Sequence, residues 1–227
     1  MVNIDTVYQT VQALANKEQR GYITPQEFNL FANTAQMQIF EQYFYDLNQF
    51  KRIPSNQSSY SDMVDLIEDK LVRFLSKMNQ VDSTNGISLP TDFYRDQTVS
   101  VNGYKAEKVS RPQQDYYSHH SLKLLNPTEK RPTYYIIQDS LTVKPSGLVD
   151  FGYIRKPSNP KWTYEIVNES PLYNPTAPDH NHFELHASEQ GVLVAKILKM
   201  AGLSIEDQAI TQAGAVSEQI TVQQQKS

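Results

Sequence analysis

Three histidines stand close together at His180, His182 and His186, and imidazoles at such spacing are the first place to look for metal chemistry. On a helix, His182 and His186 would share a face and could offer two neutral ring nitrogens to zinc. The metalloprotease pattern HExxH is nevertheless missing, because Glu184 follows the first histidine of that pair by two residues rather than one. The triplet His180-Asn181-His182 does not make a nuclease motif either, since that motif spreads its residues over a ββα unit. Surface histidines beside a Pro/Asn-rich loop are the expected outcome, and His119-His120 is a similar polar pair.

Residues 16–27 imitate a calcium-binding loop, with Gly21 at position 6, Ile23 at 8 and Glu27 at 12. Calcium needs oxygen donors at positions 1, 3 and 5. Those positions hold Asn16, Glu18 and Arg20, so a cation would occupy a ligand place. Thr24-Pro25-Gln26-Glu27 fits a helix start instead: Thr24 as N-cap, Pro25 at the first helical position, and Glu27 closing a capping box. No GxSxG, GxxxxGK[ST] or GxGxxG occurs. Asp62, Asp65, Glu68 and Asp69 read as a solvated helix face with Lys70 and Arg73. Tyr116-Tyr117 and Tyr134-Tyr135 could stack on bases, but without a basic stripe they read as strand and interface packing. No catalytic, cofactor-binding or metal residue is assigned, and no enzyme is expected.

The elements that would position these residues fall into three parts. Asn3 can cap a first helix carrying Ile4, Val7, Tyr8, Val11 and Leu14. The helix after Thr24 places Phe28, Phe31, Ala32, Ala35, Ile39, Phe40, Tyr43, Phe44 and Leu47 at spacings of three and four, with Asn29, Asn33, Gln36, Gln38 and Gln42 on its other face. A polar loop over 54–59 precedes a third helix, capped by Ser61 and carrying Met63, Leu66, Ile67, Leu71, Phe74 and Met78. From residue 85 the period changes to two. Asn102-Gly103 between alternating runs is a hairpin signal, because both residues tolerate positive φ. Residues 133–137, 141–143 and 149–154 read as further strands. The stretch 168–181, with Pro171, Pro175 and Pro178, reads as a long functional loop. A helix through Val192, Leu193, Ile197 and Leu198 stops near Gly202. Ser204 can cap a last one before a Gln-rich tail.

These elements predict an α+β fold: a helical bundle (1–82 and 182–227) carrying an inserted small antiparallel β-sandwich or barrel module (83–167), with 168–181 as an extended loop. A chain of 227 residues can bury roughly 70% of its unfolded surface. The net charge of −4 offers no global basic field for nucleic acid or an acidic membrane. The absence of cysteine excludes disulfides, thiol catalysis and Cys-ligated zinc. No signal peptide or membrane span is expected.

The order of parts resembles the head-to-tail adaptor, or connector ring, proteins of tailed bacteriophages. The segments Ile87-Ser-Leu-Pro90-Thr-Asp-Phe93 and Val99-Ser-Val101-Asn-Gly103 look like the opening of the adaptor β module. Residues 133–145 and Phe151-Gly-Tyr-Ile-Arg-Lys-Pro157 look like its Pro-terminated strands. Thr24-Pro-Gln-Glu-Phe28 with Ala35-Gln36, and Phe183-Glu-Leu185 with Lys196-Ile-Leu198 and Gly202, are most similar to ring proteins of crAss-like phages. The resemblance implies a virion protein assembled in the bacterial cytoplasm. It would form a homo-oligomeric ring, usually of twelve copies, at the head–tail junction. Its partners would be the portal protein and adjacent tail or ring proteins, with DNA passing through the lumen without sequence-specific binding. Within it, Pro171, Leu172, Tyr173, Pro175 and Pro178 are expected at a subunit interface, and the tail is expected to order on the portal. A tail-completion or decoration protein outside the connector is the alternative.

Overall fold

The computed structural model describes residues 1–17, 22–52, 58–119 and 126–204. The chain forms a mixed α+β structure in two units, one built from residues 1–70 and 157–227, the other from 71–156. The sequence boundaries at 82/83 and 167/168 therefore move to 70/71 and 156/157.

Three helices open the first unit. In α1 (Ile4–Lys17) the Asn3 side chain accepts from the Asp5 and Thr6 amides at 2.9 and 3.4 Å, as an N-cap should. Ile4, Val7, Tyr8 and Val11 are buried, but the stripe continues through Ala15, while Leu14 is exposed. α2 (Pro25–Arg52) starts on the expected capping box: the Thr24 amide donates to Glu27 at 2.9 Å and the Glu27 amide to the Thr24 hydroxyl at 3.3 Å. Of its apolar stripe Phe28, Ala32, Ala35, Ile39, Phe40, Tyr43 and Phe44 are buried, while Phe31 and Leu47 are half-buried. α3 (Ser58–Val72) begins three residues before the expected Ser61 cap. The loop positions 54–57 lie outside the described residues.

α3 also ends earlier than its periodicity suggests. Phe74 and Met78 continue the helical spacing from Leu71, yet β1 (Leu75–Asp82) is a strand, so the helix expected through Met78 is corrected to a helix followed by a strand. Six register pairs with β8 (Leu148–Arg155), from Leu75↔Ile154 to Asp82↔Leu148, outweigh a local helix preference worth tenths of a kcal/mol per residue.

The second unit holds two four-stranded sheets. β3 (Phe93–Val101) and β4 (Tyr104–Lys105) turn at Asn102-Gly103, whose φ values of 49° and 86° are those of the expected hairpin turn. They join the first sheet in the order β1-β8-β3-β4. The second sheet runs β2 (Ile87–Ser88), β7 (Ser140–Lys144), β6 (Thr133–Ile137), β5 (Glu107–Lys108). Beyond the turn, the chain from Tyr104 to Lys108 crosses from one sheet to the other at the buried Ala106. β5 and β6 are parallel, unlike the other strand pairs among the described residues, and the intervening segment contains α4 (Arg111–His119), which the sequence reading lacked. A parallel neighbour needs such a crossover. Ile87, Val99, Val101, Tyr134, Leu141, Val143, Val149, Phe151 and Tyr153, drawn from both sheets, form one apolar cluster.

The chain returns to the first unit through β9 (Tyr164–Val167), β10 (Ser170–Tyr173), a 3-10 turn at Ala187–Glu189 and α5 (Gln190–Ser204). Phe183, Leu185, Leu193 and Ile197 are fully buried, and α5 packs on α1 and α2. Gly202 lies inside α5 rather than beyond its end, and Ser204 is the last residue of α5 rather than a cap. The expected last helix and Gln-rich tail lie outside the described residues. No helix among the described residues is long and apolar enough to cross a membrane.

Candidate interaction surface

Four residues of the segment read as an extended loop over 168–181 form a strand, β10, and its partner β9 lies just before that segment. β9 and β10 pair from Tyr164↔Tyr173 to Val167↔Ser170, turning at Asn168 and Glu169, whose φ values of 50° and 63° make a tight two-residue hairpin. Pro171 concealed the strand at sequence level. A two-stranded ribbon has no central strand, so a proline can sit in it without interrupting a ladder on both sides.

A two-stranded hairpin is marginal alone, and its base shows what steadies this one. Trp162, just before β9, donates from its indole nitrogen to Asp5 at 3.0 Å and stacks on Tyr8 at 4.0 Å between ring centroids. Tyr164 and Tyr173, paired across the ribbon, each stack on Trp162 at 5.7 Å. Asn29 grips the Trp162 backbone with both ends of its amide, accepting from the nitrogen at 2.8 Å and donating to the carbonyl at 3.0 Å. Two turns along α2, Gln36 donates to the Ser158 carbonyl at 2.8 Å and accepts from the Glu184 amide at 3.0 Å. The Asn/Gln face expected to be merely polar thus includes two inward clamps on the returning chain. The sequence offered a signal: Asn29 and Gln36 lie seven apart, on one line of the helix.

The histidines are absorbed into the same base. His180 meets Tyr173 edge-on at 5.5 Å, with the Tyr173 hydroxyl 3.2 Å from Nε2 and the Thr163 hydroxyl 3.4 Å from Nδ1. His182 packs on His180 at 4.7 Å and accepts from the Ile4 amide through Nδ1 at 3.3 Å. Burial, then the neighbouring His180 and the N-terminal ammonium, hold His182 below the ordinary imidazole range. His186 is separate and caps the 3-10 turn by accepting from the Ser188 amide. Among the described residues no group of three potential ligands could hold a metal. Burial first, then the Asp5 carboxylate, raise the Tyr173 phenol, so it stays protonated.

The five expected interface residues divide between base and surface. Tyr173 belongs to the aromatic stack, and Pro171 lies half-buried opposite Ile166. Leu172, Pro175 and Pro178 are exposed. The hairpin adds two residues that the sequence reading did not single out: Ile166 is 74% exposed and Val167 47%, beside Leu172 at 61%. Register puts Ile166 on one face of the ribbon and Val167 with Leu172 on the other. Apolar side chains therefore stand out on both faces of a firmly rooted hairpin.

Other polar clusters are internal joints. Asp96 on β3 accepts from Lys108 on β5 at 2.6 Å and from the Tyr134 hydroxyl on β6 at 2.8 Å, which ties the two sheets together. Burial pushes the Asp96 carboxyl up, but these two donors and the Lys108 charge outweigh it and leave it below the usual carboxylate range. Glu27 spends its carboxylate on Thr24; Gly21, Glu18 and Arg20 of the calcium-like stretch, and His120, lie outside the described residues. Lys70, expected on a solvated face, instead reaches the buried Glu189 at 2.6 Å. No protein-family model matches the chain, and a search of curated proteins gives no match.

Proposed function

We propose that this chain is a structural virion protein, not an enzyme. Its copies would form a homo-oligomeric ring that joins the portal of a tailed bacteriophage to its tail and lines the DNA channel. The observation that carries the reading is the β9–β10 hairpin. It stands on a base of stacked aromatics and amide clamps, and it offers Ile166, Val167 and Leu172 to solvent. Rigid ribbons with exposed apolar tips favour association, and a head-to-tail interface closes into a ring when the rotation allows. In this reading the β unit is a small sandwich, its two sheets sharing one apolar cluster, inserted into a helical bundle built from both ends of the chain. The chain's net charge of −4 suits a lumen past which phosphates must slide.

The mass of the purified protein, alone and mixed with a candidate portal protein, tests the proposal. A closed ring in either condition is the expected result. A monomer that ignores portal would refute it and point to a tail-completion or decoration protein outside the connector.

A further inference from the structure

The net charge conceals a division. Residues 71–156 carry twelve Lys/Arg against eight Asp/Glu, a net of +4, whereas the rest of the chain carries nine against seventeen, a net of −8. The basic excess gathers at one end of the second sheet. Lys144 pairs in register with Thr133, Thr133 with Glu107, and just before β6 Glu129 and Lys130 form a turn closed by the bridge between Thr128 and Arg131. All three cations are exposed, and Lys105 and Arg111 flank them on the chain around β5. Glu107, Glu129 and Asp115, the last beside the Gln114 that bonds Thr133, are acids in this neighbourhood, while Lys108 is taken up by Asp96.

The exposed hairpin has the opposite character. Residues 163–179 contain Glu165, Glu169 and Asp179 and no Lys or Arg. Asp179 is paired with Lys161, which leaves Glu165 and Glu169 as the acids of the ribbon, beside Ile166 and Leu172.

We infer that the acidic hairpin of one copy docks on the basic end of the β unit of a neighbouring copy, around Lys130, Arg131 and Lys144. The occupant is a second copy because one chain carries both halves of the match. Complementary potentials raise association rates and fix register, and the apolar tip supplies the area that charge alone does not. A nucleic acid is the less suitable partner, since its phosphates would meet a chain whose other residues carry −8. The docking rests on the self-assembly proposed above and names its contacts.

Charge reversal on each side, with mixing, tests it. Glu165→Lys/Glu169→Lys and Lys130→Glu/Arg131→Glu/Lys144→Glu change exposed side chains only, and circular dichroism checks that each variant folds. At low ionic strength (about 0.05 M) each variant alone should self-associate at least about tenfold more weakly than wild type, because like charges then face each other. Mixed in equal amounts, the two should regain assembly, since every contact is again between opposite charges. Wild-type assembly should weaken at about 0.5 M salt. Variants that assemble like wild type, or a mixture no better than its parts, overturn the inference while a wild-type ring leaves the proposed function standing. A wild type monomeric at low salt overturns it too, and the ring is then decided by the portal mixture. Retention of a DNA duplex by the patch, with assembly indifferent to reversal, would assign the basic end to nucleic acid instead.

Discussion

Gln36→Leu is a small change in volume with a large expected consequence. The side chain is 2% exposed, and it occupies two backbone groups of the returning segment, the Ser158 carbonyl at 2.8 Å and the Glu184 amide at 3.0 Å. Leucine fills the space but makes neither of the bonds that Gln36 makes to these groups. Each lost bond to a backbone group costs about 1–3 kcal/mol, and the partial exposure of Ser158 and Glu184 places both in the lower half of that range. Removing the buried amide and adding an apolar side chain returns up to about 1 kcal/mol. The net loss should be about 2–3 kcal/mol, or roughly 4–12 °C in Tm for a chain of this size. Gln38→Leu, two residues on and exposed, should stay within about 0.5 kcal/mol of wild type. Denaturant midpoints measure the difference, and hydrogen exchange at the Glu184 amide should accelerate only in the Gln36 variant. If Gln36→Leu unfolds with wild-type stability, or if the two variants lose equal amounts, then Gln36 does not clamp the returning chain and the reasoning fails.

Other perturbations bear on separate parts of the structure. A Cβ on Gly152 would lie 2.6 Å from the Thr98 hydroxyl; Gly152→Ala should lose about 1–3 kcal/mol, and adding Thr98→Ala should recover part of it in a chemical melt. Because His182 has a folded-state pKa below the ordinary 6.5, its neutral form stabilises the fold above that pH. That contribution declines as pH falls from 6.5 toward the folded value. His182→Asn, which keeps an acceptor for the Ile4 amide, should flatten the stability profile in this window, and an unchanged slope would assign it to another group. Thr24→Ala breaks the capping box and should cost about 1 kcal/mol by thermal melting, whereas Thr24→Ser should be close to neutral.

Local signals were legible where the physics is local. The Thr24–Glu27 box, the Asn3 cap and the Asn102-Gly103 turn each bond within a few residues, so residue types alone determined them. The same holds for the buried stripe of α2 and for strands β6, β7 and β8, whose patterns need only a core on one side. Tertiary structure decided the rest. Met78 continues a helical spacing from Leu71 and Phe74, and only the ladder to β8 made its segment a strand. Pro171 made a strand look like a loop until its partner Ile166 was in place. The polar face of α2 could be seen, but whether Asn29 and Gln36 met water or the backbone of residues more than 120 positions away could not. The three histidines could be counted, while their roles depended on partners as distant as Ile4. Sequence sets what each residue can bond; the fold decides which distant group is there to be bonded, because that choice is made by the packing of whole elements.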